Sequence, residues 1–95
     1  MHAVIRTYAG KGAKELGEVL KSRKKDVESV MRSVKGFVGY TLIDTGDGVV
    51  TVTICQDKAG TDDSVQKARD WVAKNASATG AGAPKVSEGP VSLHL

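Results

Sequence analysis

The chain has 95 residues, of which 40% are hydrophobic and 26% are charged, and its formal net charge is +3. This composition is that of an ordinary globular protein, so we expect one domain over residues 1–95 and exclude a fibrous or disordered chain. No apolar run approaches the roughly 20 residues of a membrane-spanning helix, and the single cysteine cannot form an internal disulfide, so the expected location is the cytoplasm.

The first part of the chain predicts a strand followed by one long helix. Residues 2–8 (HAVIRTY) are rich in β-branched and aromatic side chains, which favour a strand. Apolar residues then recur at steps of three and four from Leu16 to Val34, with Arg23 in one of the slots. This spacing predicts a single amphipathic helix, and Gly36 suits the position just after its end.

The middle of the chain predicts a β-hairpin. Residues 37–44 and 49–56 both have the composition of strands. They flank the tetrapeptide Thr45-Gly46-Asp47-Gly48, and Asp-Gly is a favoured pair in two-residue hairpin turns.

The last part predicts a second helix and a fourth strand. Gly60 is expected to interrupt the chain, and Thr61 or Asp62 to cap the helix that follows. A strand lies within residues 85–95, and Pro90 predicts that it is an edge strand. The order β-α-β-β-α-β predicts a ferredoxin-like α+β fold, in which a four-stranded antiparallel sheet carries the helices on one face.

The hairpin register sorts the strand residues onto the two faces of this sheet. A turn at Gly46-Asp47 or at Asp47-Gly48 gives the same sorting, because the two registers differ by two residues. We assign the more apolar face to the helices: Ala3, Ile5, Phe37, Thr41, Ile43, Val50, Val52 and Ile54. We expect the other face to be free of helices: His2, Val4, Arg6, Tyr8, Val38, Tyr40, Leu42, Val49, Thr51, Thr53 and Cys55.

This second face is mixed in polarity but too apolar to remain in open water. Two such faces brought together would enclose a pocket with a few polar groups, which is the usual composition of a small-molecule site. We therefore expect a homodimer that pairs through its helix-free sheet faces and binds a small molecule between them. The candidate pocket residues are His2, Arg6, Tyr8, Tyr40, Thr51, Thr53 and Cys55.

Three stretches carry a resemblance to a known family: AVIRTY, GFVGYTLIDTGDGVVTVTICQDKAG and SVQKARDWVAKN. They resemble small bacterial proteins of the antibiotic-biosynthesis-monooxygenase-like group, within the dimeric α+β barrel superfamily. The resemblance implies a homodimer whose two sheets face each other, with the helices outside. The superfamily includes cofactor-independent oxygenases of polyketide quinones, haem-degrading oxygenases and members without an assigned activity.

The resemblance does not transfer a catalytic set. Haem-degrading members use an Asn on the first strand together with a Trp and a His. Arg6, Thr7 and Tyr8 stand on the first strand here, so those roles are not carried over. The histidines and the single cysteine lack the spacing of metal ligands, and we expect neither a metal nor another cofactor. Catalytic residues stay unassigned.

Each candidate residue has two interpretations. Tyr8 and Tyr40 either hydrogen-bond a phenolic or quinone ligand or only fill an interface. Arg6 needs an anionic partner or solvent, and that partner is either a ligand oxygen or an acidic residue such as Asp44 or Glu88.

The remaining candidates are weaker. His2 could act as a general base, but it lies next to the chain terminus. Cys55 is more typical of a buried small hydrophobe than of a reactive thiol. Trp71 is more typical of packing between helix and sheet than of redox chemistry.

Together these observations predict a homodimer that binds a small aromatic or hydrophobic molecule. The alternative is a cofactor-independent monooxygenase acting on a phenolic or quinone-type substrate, which Arg6, Tyr8 and Tyr40 would orient. RNA-binding domains share the β-α-β-β-α-β order but stack bases on aromatic residues of the third strand, and VVTVTICQ has none. We therefore expect neither a nucleic acid nor a membrane as a partner.

Overall fold

The computed structural model describes residues 1–95. The strands are β1 (His2–Tyr8), β2 (Phe37–Asp44), β3 (Val49–Cys55) and β4 (Lys85–Pro90). The helices are α1 (Ala13–Ser22), α2 (Lys24–Arg32) and α3 (Lys58–Asn75), followed by a short 3₁₀ turn at Ser77–Thr79. No helix combines the length and the apolar character that crossing a membrane requires.

The four strands form one antiparallel sheet in the order β2-β3-β1-β4. β1 lies in the interior of the sheet, and β4 lies beside it at one edge, so the two β-α-β halves interlock. The ferredoxin-like α+β fold predicted from the element order is therefore confirmed. The edge position of β4 also agrees with the prediction made from Pro90.

The predicted single long helix is in fact two helices that meet at Arg23. This residue has φ −117° and ψ 41°, which lies outside the helical region. The N–H of Arg23 donates the last hydrogen bond of α1, to the Val19 carbonyl at 3.0 Å, and its carbonyl accepts the first bond of α2, from Val27 at 3.1 Å, so α2 follows α1 directly. The buried apolar stripe therefore runs past the bend: Leu16, Leu20, Val27 and Met31.

The side chain of Arg23 ties the bend to α3. Its guanidinium carbon lies 5.5 Å from the centroid of the Trp71 ring, and its Nη1 donates to Asn75 Oδ1 at 3.1 Å. It also pairs with Asp26. Periodicity missed the bend because the apolar spacing is continuous across it, and a contact with a residue far along the chain leaves no local signal.

The helix α3 begins earlier than predicted. Asp57 is its N-cap, and Asp57 Oδ1 accepts the N–H of Gly60 at 3.1 Å. Gly60 therefore lies inside the helix rather than before it. A Cβ at this position would overlap the Lys35 carbonyl oxygen and lie 2.7 Å from Cys55 Cβ. The glycine is a packing requirement, because it lets α3 approach the end of β3 closely.

The hairpin turn occupies one of its two predicted positions. Asp44 pairs with Val49, and the N–H of Thr45 donates to the Gly48 carbonyl at 3.2 Å, so Gly46 and Asp47 form the turn. A register shift at the start of β2 lies between residues 37 and 39. It places Phe37 opposite Cys55, on the face of Tyr40, which the strict alternation of the sequence could not show.

The assignment of the two sheet faces is wrong, because the helices cover the mixed face. Val4 and Arg6 are 0% and 3% exposed, whereas Ile5 between them is 40% exposed. Tyr8 belongs to the core cluster that also contains Leu16 of α1 and residues of all three helices. On β3 the buried residues that point the same way are Val49, Thr51, Thr53 and Cys55.

Tyr40 and Thr53 therefore point towards the helices, and the aliphatic face is the open one. We assigned the faces by hydrophobicity, a rule that holds when the polar groups of a sheet stay in water. Here buried polar groups bond to one another: Arg6 Nε donates to Thr51 Oγ1 at 3.0 Å, and His2 Nδ1 lies 2.9 Å from the hydroxyl of Thr61 on α3. Pairing of this kind lets a mixed face be enclosed.

Candidate functional site

A cleft of about 660 Å³ lies between the helices α1 and α2 and the strand β2. Gly17 lines it and has no side chain to fill it. The cleft has the size and the mainly apolar lining of a small-molecule site. Its apolar and aromatic walls are formed by Leu20, Val27, Met31, Phe37, Val38, Tyr40, Leu42 and Val49.

Charged side chains surround the mouth of the cleft. Lys21 of α1 donates to Asp44 Oδ2 of β2 at 2.7 Å and to Glu18 Oε1 at 3.3 Å. The hydrogen bond from Lys21 lowers the pKa of Asp44, and the hydrogen bond to Asp44 raises the pKa of Lys21. Both groups are exposed, so solvent screens the pair. It joins the two walls at one end of the cleft.

A second, smaller cavity of about 20 Å³, called the inner cavity below, lies between the sheet and the helices. It has room for a single water-sized group. The cavity adjoins the cleft, because four residues line both: Leu20, Val27, Met31 and Tyr40. The remaining lining of the inner cavity is Arg6, Tyr8, Val30, Thr51, Ala68, Trp71 and Val72.

Arg6 is the exceptional residue of this cavity. It is 3% exposed, and its Nη1 has no hydrogen-bond partner in the protein. The acidic partners considered from the sequence are engaged elsewhere, because Asp44 pairs with Lys21 and Glu88 lies 3.4 Å from Lys58 Nζ. A guanidinium stays protonated in proteins, and burying an unpaired charge costs several kcal/mol.

Two phenols stand beside Arg6. Burial raises the pKa of Tyr8 and of Tyr40, and the positive charge of Arg6 opposes part of the shift in both. Both phenols therefore stay protonated at neutral pH, where a phenol O–H can donate a hydrogen bond. The inner cavity combines one cation with neutral hydroxyl groups, and no carboxylate lines it.

The structure thus brings together four of the seven predicted site residues, on the face opposite to the one expected. The other three lie apart from both cavities. His2 sits under the start of α3, where Nδ1 contacts Thr61 and Nε2 lies 3.8 Å from Glu88 Oε1. Cys55 is fully buried and its thiol pKa is raised, chiefly by burial. Thr53 is buried and its hydroxyl has no partner.

Sequence reasoning missed the helix wall of the site. Val27 and Met31 were identified only as part of a core stripe, and Trp71 only as packing, yet all three line the inner cavity. The available signal was Gly17, a glycine on a buried helix face where a larger residue would ordinarily fill the space. Neither histidine lines the cleft or the cavity, and no three His, Cys, Asp or Glu side chains in residues 1–95 group as metal ligands.

No protein-family model matches the sequence, and no curated protein matches it. Solved structures match over nearly the whole chain. A mutant of MhuD with two manganese protoporphyrin IX molecules bound per active site has a TM-score of 0.68 at 20% identity, over 100% of this chain and 98% of that one. SnoaB, a cofactor-independent oxygenase from Streptomyces nogalater, has a TM-score of 0.64 at 17% identity, over 99% and 95%.

A third match is a monooxygenase from Streptomyces coelicolor, ActVA-Orf6, in complex with nanaomycin D. Its TM-score is 0.60 at 21% identity, over 99% of this chain and 89% of that one. Structural similarity at identities this low shows that the fold is shared, but it does not show that the reaction is shared. The chain shares the fold of these structures, a four-stranded antiparallel sheet with helices in a ferredoxin-like α+β arrangement.

Proposed function

We propose that this protein binds a small aromatic molecule in the cleft between α1–α2 and β2. The cleft itself carries the proposal: its volume is about 660 Å³, apolar side chains of α1, α2, β2 and β3 form its walls, and it is open at one side. Phe37 and Tyr40 supply aromatic surface against which a flat ligand can stack. This location replaces the helix-free sheet face on which the pocket was predicted.

Filling the cleft from within tests this proposal. A Cβ at Gly17 would lie 3.6 Å from Val49 Cβ, an ordinary contact, so Gly17→Ala keeps the cleft open whereas Gly17→Leu occupies it. Thermal stabilisation by a panel of quinones and phenols should persist in Gly17→Ala and disappear in Gly17→Leu. Equal stabilisation of both variants would place binding elsewhere, and none in the unaltered protein would contradict the proposal.

We also propose that the open sheet face pairs with a second copy of the chain. Ile5 and Ile43 are 40% and 44% exposed, and the half-buried Val50, Val52 and Ile54 continue the same aliphatic surface. An exposed aliphatic face of this kind is unfavourable in water. Two copies of the chain related by a twofold axis would bury the face of one copy against the same face of the other. The family resemblance implies the same pairing. The cleft lies on the other side of the sheet and would stay open in such a dimer.

A monooxygenase is the second candidate function, because of the groups beside the inner cavity. Arg6 with the Tyr8 and Tyr40 phenols would stabilise a substrate phenolate or enolate, the electron-rich form that reacts with dioxygen. In such a reaction one oxygen atom enters the substrate as a carbonyl and the other leaves as water, with two hydrogens and the electrons supplied by the substrate. SnoaB and ActVA-Orf6, which share the fold, are an oxygenase and a monooxygenase.

Oxygen uptake with anthrone-type phenols separates the two candidates. The enzyme hypothesis predicts uptake with quinone formation, and a fall of at least about 100-fold in Arg6→Ala, the size seen when one oxyanion donor is lost. Ligand binding without oxygen uptake would support the binding function and contradict the enzyme hypothesis. Uptake that is unchanged in Arg6→Ala would remove Arg6 from the chemistry.

A further inference from the structure

The segment that follows β4, residues 91–95 (VSLHL), is called the tail below. The N–H of Val91 donates to the Met1 carbonyl at 2.9 Å, which continues the pairing of β4 with β1 by one residue. The chain then bends at Ser92, and residues 92–95 pair with no strand of the sheet. The tail therefore projects from the end of the edge strand.

Two leucines of the tail are the most exposed large apolar side chains of the structure. Leu93 is 76% exposed, and Leu95 is fully exposed. Because they are two positions apart, both side chains point the same way in an extended segment. Ser92 and His94 alternate with them and make the opposite side polar. The single copy leaves the apolar side of the tail in water.

The tail leaves the sheet beside the open face. Gly89 of β4 lies opposite Ala3 of β1, and both are on the same side of the sheet as Ile5. Side chains alternate along a strand, so Val91 points to that side as well. Val91 is half-buried there, and the aliphatic surface of the open face continues to the residue at which the tail begins.

The open face by itself is small for a dimer interface. Four strands about 4.8 Å apart and about 23 Å long cover roughly 440 Å², so two such faces would bury about 900 Å² in total. A stable dimer ordinarily buries at least about 1,200 Å². Apolar side chains outside the sheet would supply the missing area, and the two exposed leucines of the tail are next to the open face.

We propose that the tail of each copy is a clasp, which packs Leu93 and Leu95 against the second copy of the chain. The inference rests on the dimer proposed above, and it adds a part of the interface that lies beyond the sheet. The partner that fits this surface is a second copy, because the tail continues the same aliphatic surface that the proposed dimer buries.

Substitution of the two leucines tests the clasp. The dimer dissociation constant of the double variant Leu93→Ser with Leu95→Ser should be at least about tenfold higher, because two apolar side chains lose their burial. Sedimentation velocity over a range of protein concentrations measures this. The matched control is His94→Ser, between the two leucines, which should change the constant by no more than about twofold.

A spin label shows directly whether the tail reaches the second copy. The label is attached to His94→Cys in a Cys55→Ala background, so that no other thiol reacts, and this protein is mixed with isotope-labelled unaltered protein. In the mixed dimers the label should broaden amide signals of the isotope-labelled copy in nuclear magnetic resonance spectra. Unbroadened signals in the presence of mixed dimers would overturn the clasp.

The outcomes separate the clasp from the dimer. A monomer in the unaltered protein overturns the proposed dimer, and the clasp with it. A dimer whose dissociation constant is unchanged in the double leucine variant overturns the clasp and leaves the dimer standing. A loss of stability in that variant that is equal at every protein concentration shows that the leucines pack on their own copy, which also overturns the clasp.

Discussion

The helix-covered face of the sheet carries Arg6, Thr51 and Thr53 at its centre, all at least 97% buried, whereas the open face carries Ile5 and Ile43, both at least 40% exposed. Polarity and burial are therefore reversed between the two faces. A covered face with unpaired polar atoms is typical of a site that a ligand completes. An exposed aliphatic face is typical of a surface that another molecule completes. The proposed ligand would complete one face, and the proposed second copy of the chain would complete the other.

The largest effect should come from a charge on the open face. Ile5→Glu would place an unpaired carboxylate inside the proposed dimer interface, which costs about 3 kcal/mol or more and raises the dimer dissociation constant by at least about 100-fold. Sedimentation velocity over a range of protein concentrations measures this.

The matched control for Ile5→Glu is Val86→Glu. Val86 is 42% exposed and pairs with Arg6, so it lies on the helix side of the edge strand β4. The proposed pairing predicts that this variant stays dimeric. The proposed dimer would be contradicted if the unaltered protein is a monomer at micromolar concentration, or if Ile5→Glu leaves the dimer unaffected.

Val4 and Ile5 are adjacent residues whose side chains point to opposite faces of the sheet. Truncating each to alanine compares the contributions of the two faces to the free energy of unfolding. Val4 is 0% exposed, so Val4→Ala should lower the free energy of unfolding by about 2 kcal/mol, through lost burial and a small cavity. That loss should be the same at every protein concentration. The loss in Ile5→Ala should shrink on dilution as the dimer dissociates. Urea unfolding at two concentrations distinguishes them, and matching behaviour of both variants would contradict the assignment of the faces.

A smaller effect is expected at the helix wall of the cleft. Gly17→Ala should raise the free energy of unfolding by about 0.5–1 kcal/mol, because alanine in a helix interior loses less conformational entropy than glycine. The control is Gly12→Ala, where φ is 82° and a Cβ would lie within 2.5 Å of Ala81 N, so that variant should be destabilised. Urea denaturation measures both. Destabilisation by Gly17→Ala would show that the cleft wall is more tightly packed than its 3.6 Å contact indicates.

The smallest effect is on the pH dependence of the free energy of unfolding, which Tyr8 and Tyr40 change only at alkaline pH. Both tyrosines lie on the helix-covered face. Their folded pKa values lie above the ordinary 10.0. Below pH 10.0 both states hold the proton and the groups add no pH dependence. Above it the unfolded chain releases protons that the folded chain keeps, so the free energy of unfolding falls as the pH rises.

Absorbance of the phenolate follows this titration directly, since Tyr8 and Tyr40 are the only tyrosines. Arg6→Met should raise both pKa values further, because the charge of Arg6 opposes their shift. Titration at the ordinary pKa in the unaltered protein would mean that solvent reaches the phenols. A lowered pKa in Arg6→Met would contradict the placement of Arg6 beside them.

Local features of the sequence were sufficient for the elements and their order. The β-branched run of residues 2–8 and the hairpin turn both depend on nearest neighbours; the strand agrees with the structure, and the turn occupies Gly46-Asp47, one of its two predicted positions. The bend at Arg23 was out of reach because it depends on Trp71, 48 positions along the chain, and on the ring contact at 5.5 Å. The start of α3 was missed because Gly60 serves close packing against β3 rather than a chain break.

From Tyr40 to the end of β3, the sequence alone determined which residues of the hairpin share a face, since the pleat repeats every two residues and the turn sets the register. It also singled out Arg6 and the two tyrosines as a group. Only the tertiary structure decided which face the helices cover, because that depends on how polar groups such as Arg6 and Thr51 satisfy one another across strands once buried. The same packing decided that Asp44 and Glu88 pair with lysines and leave Arg6 without an acidic partner.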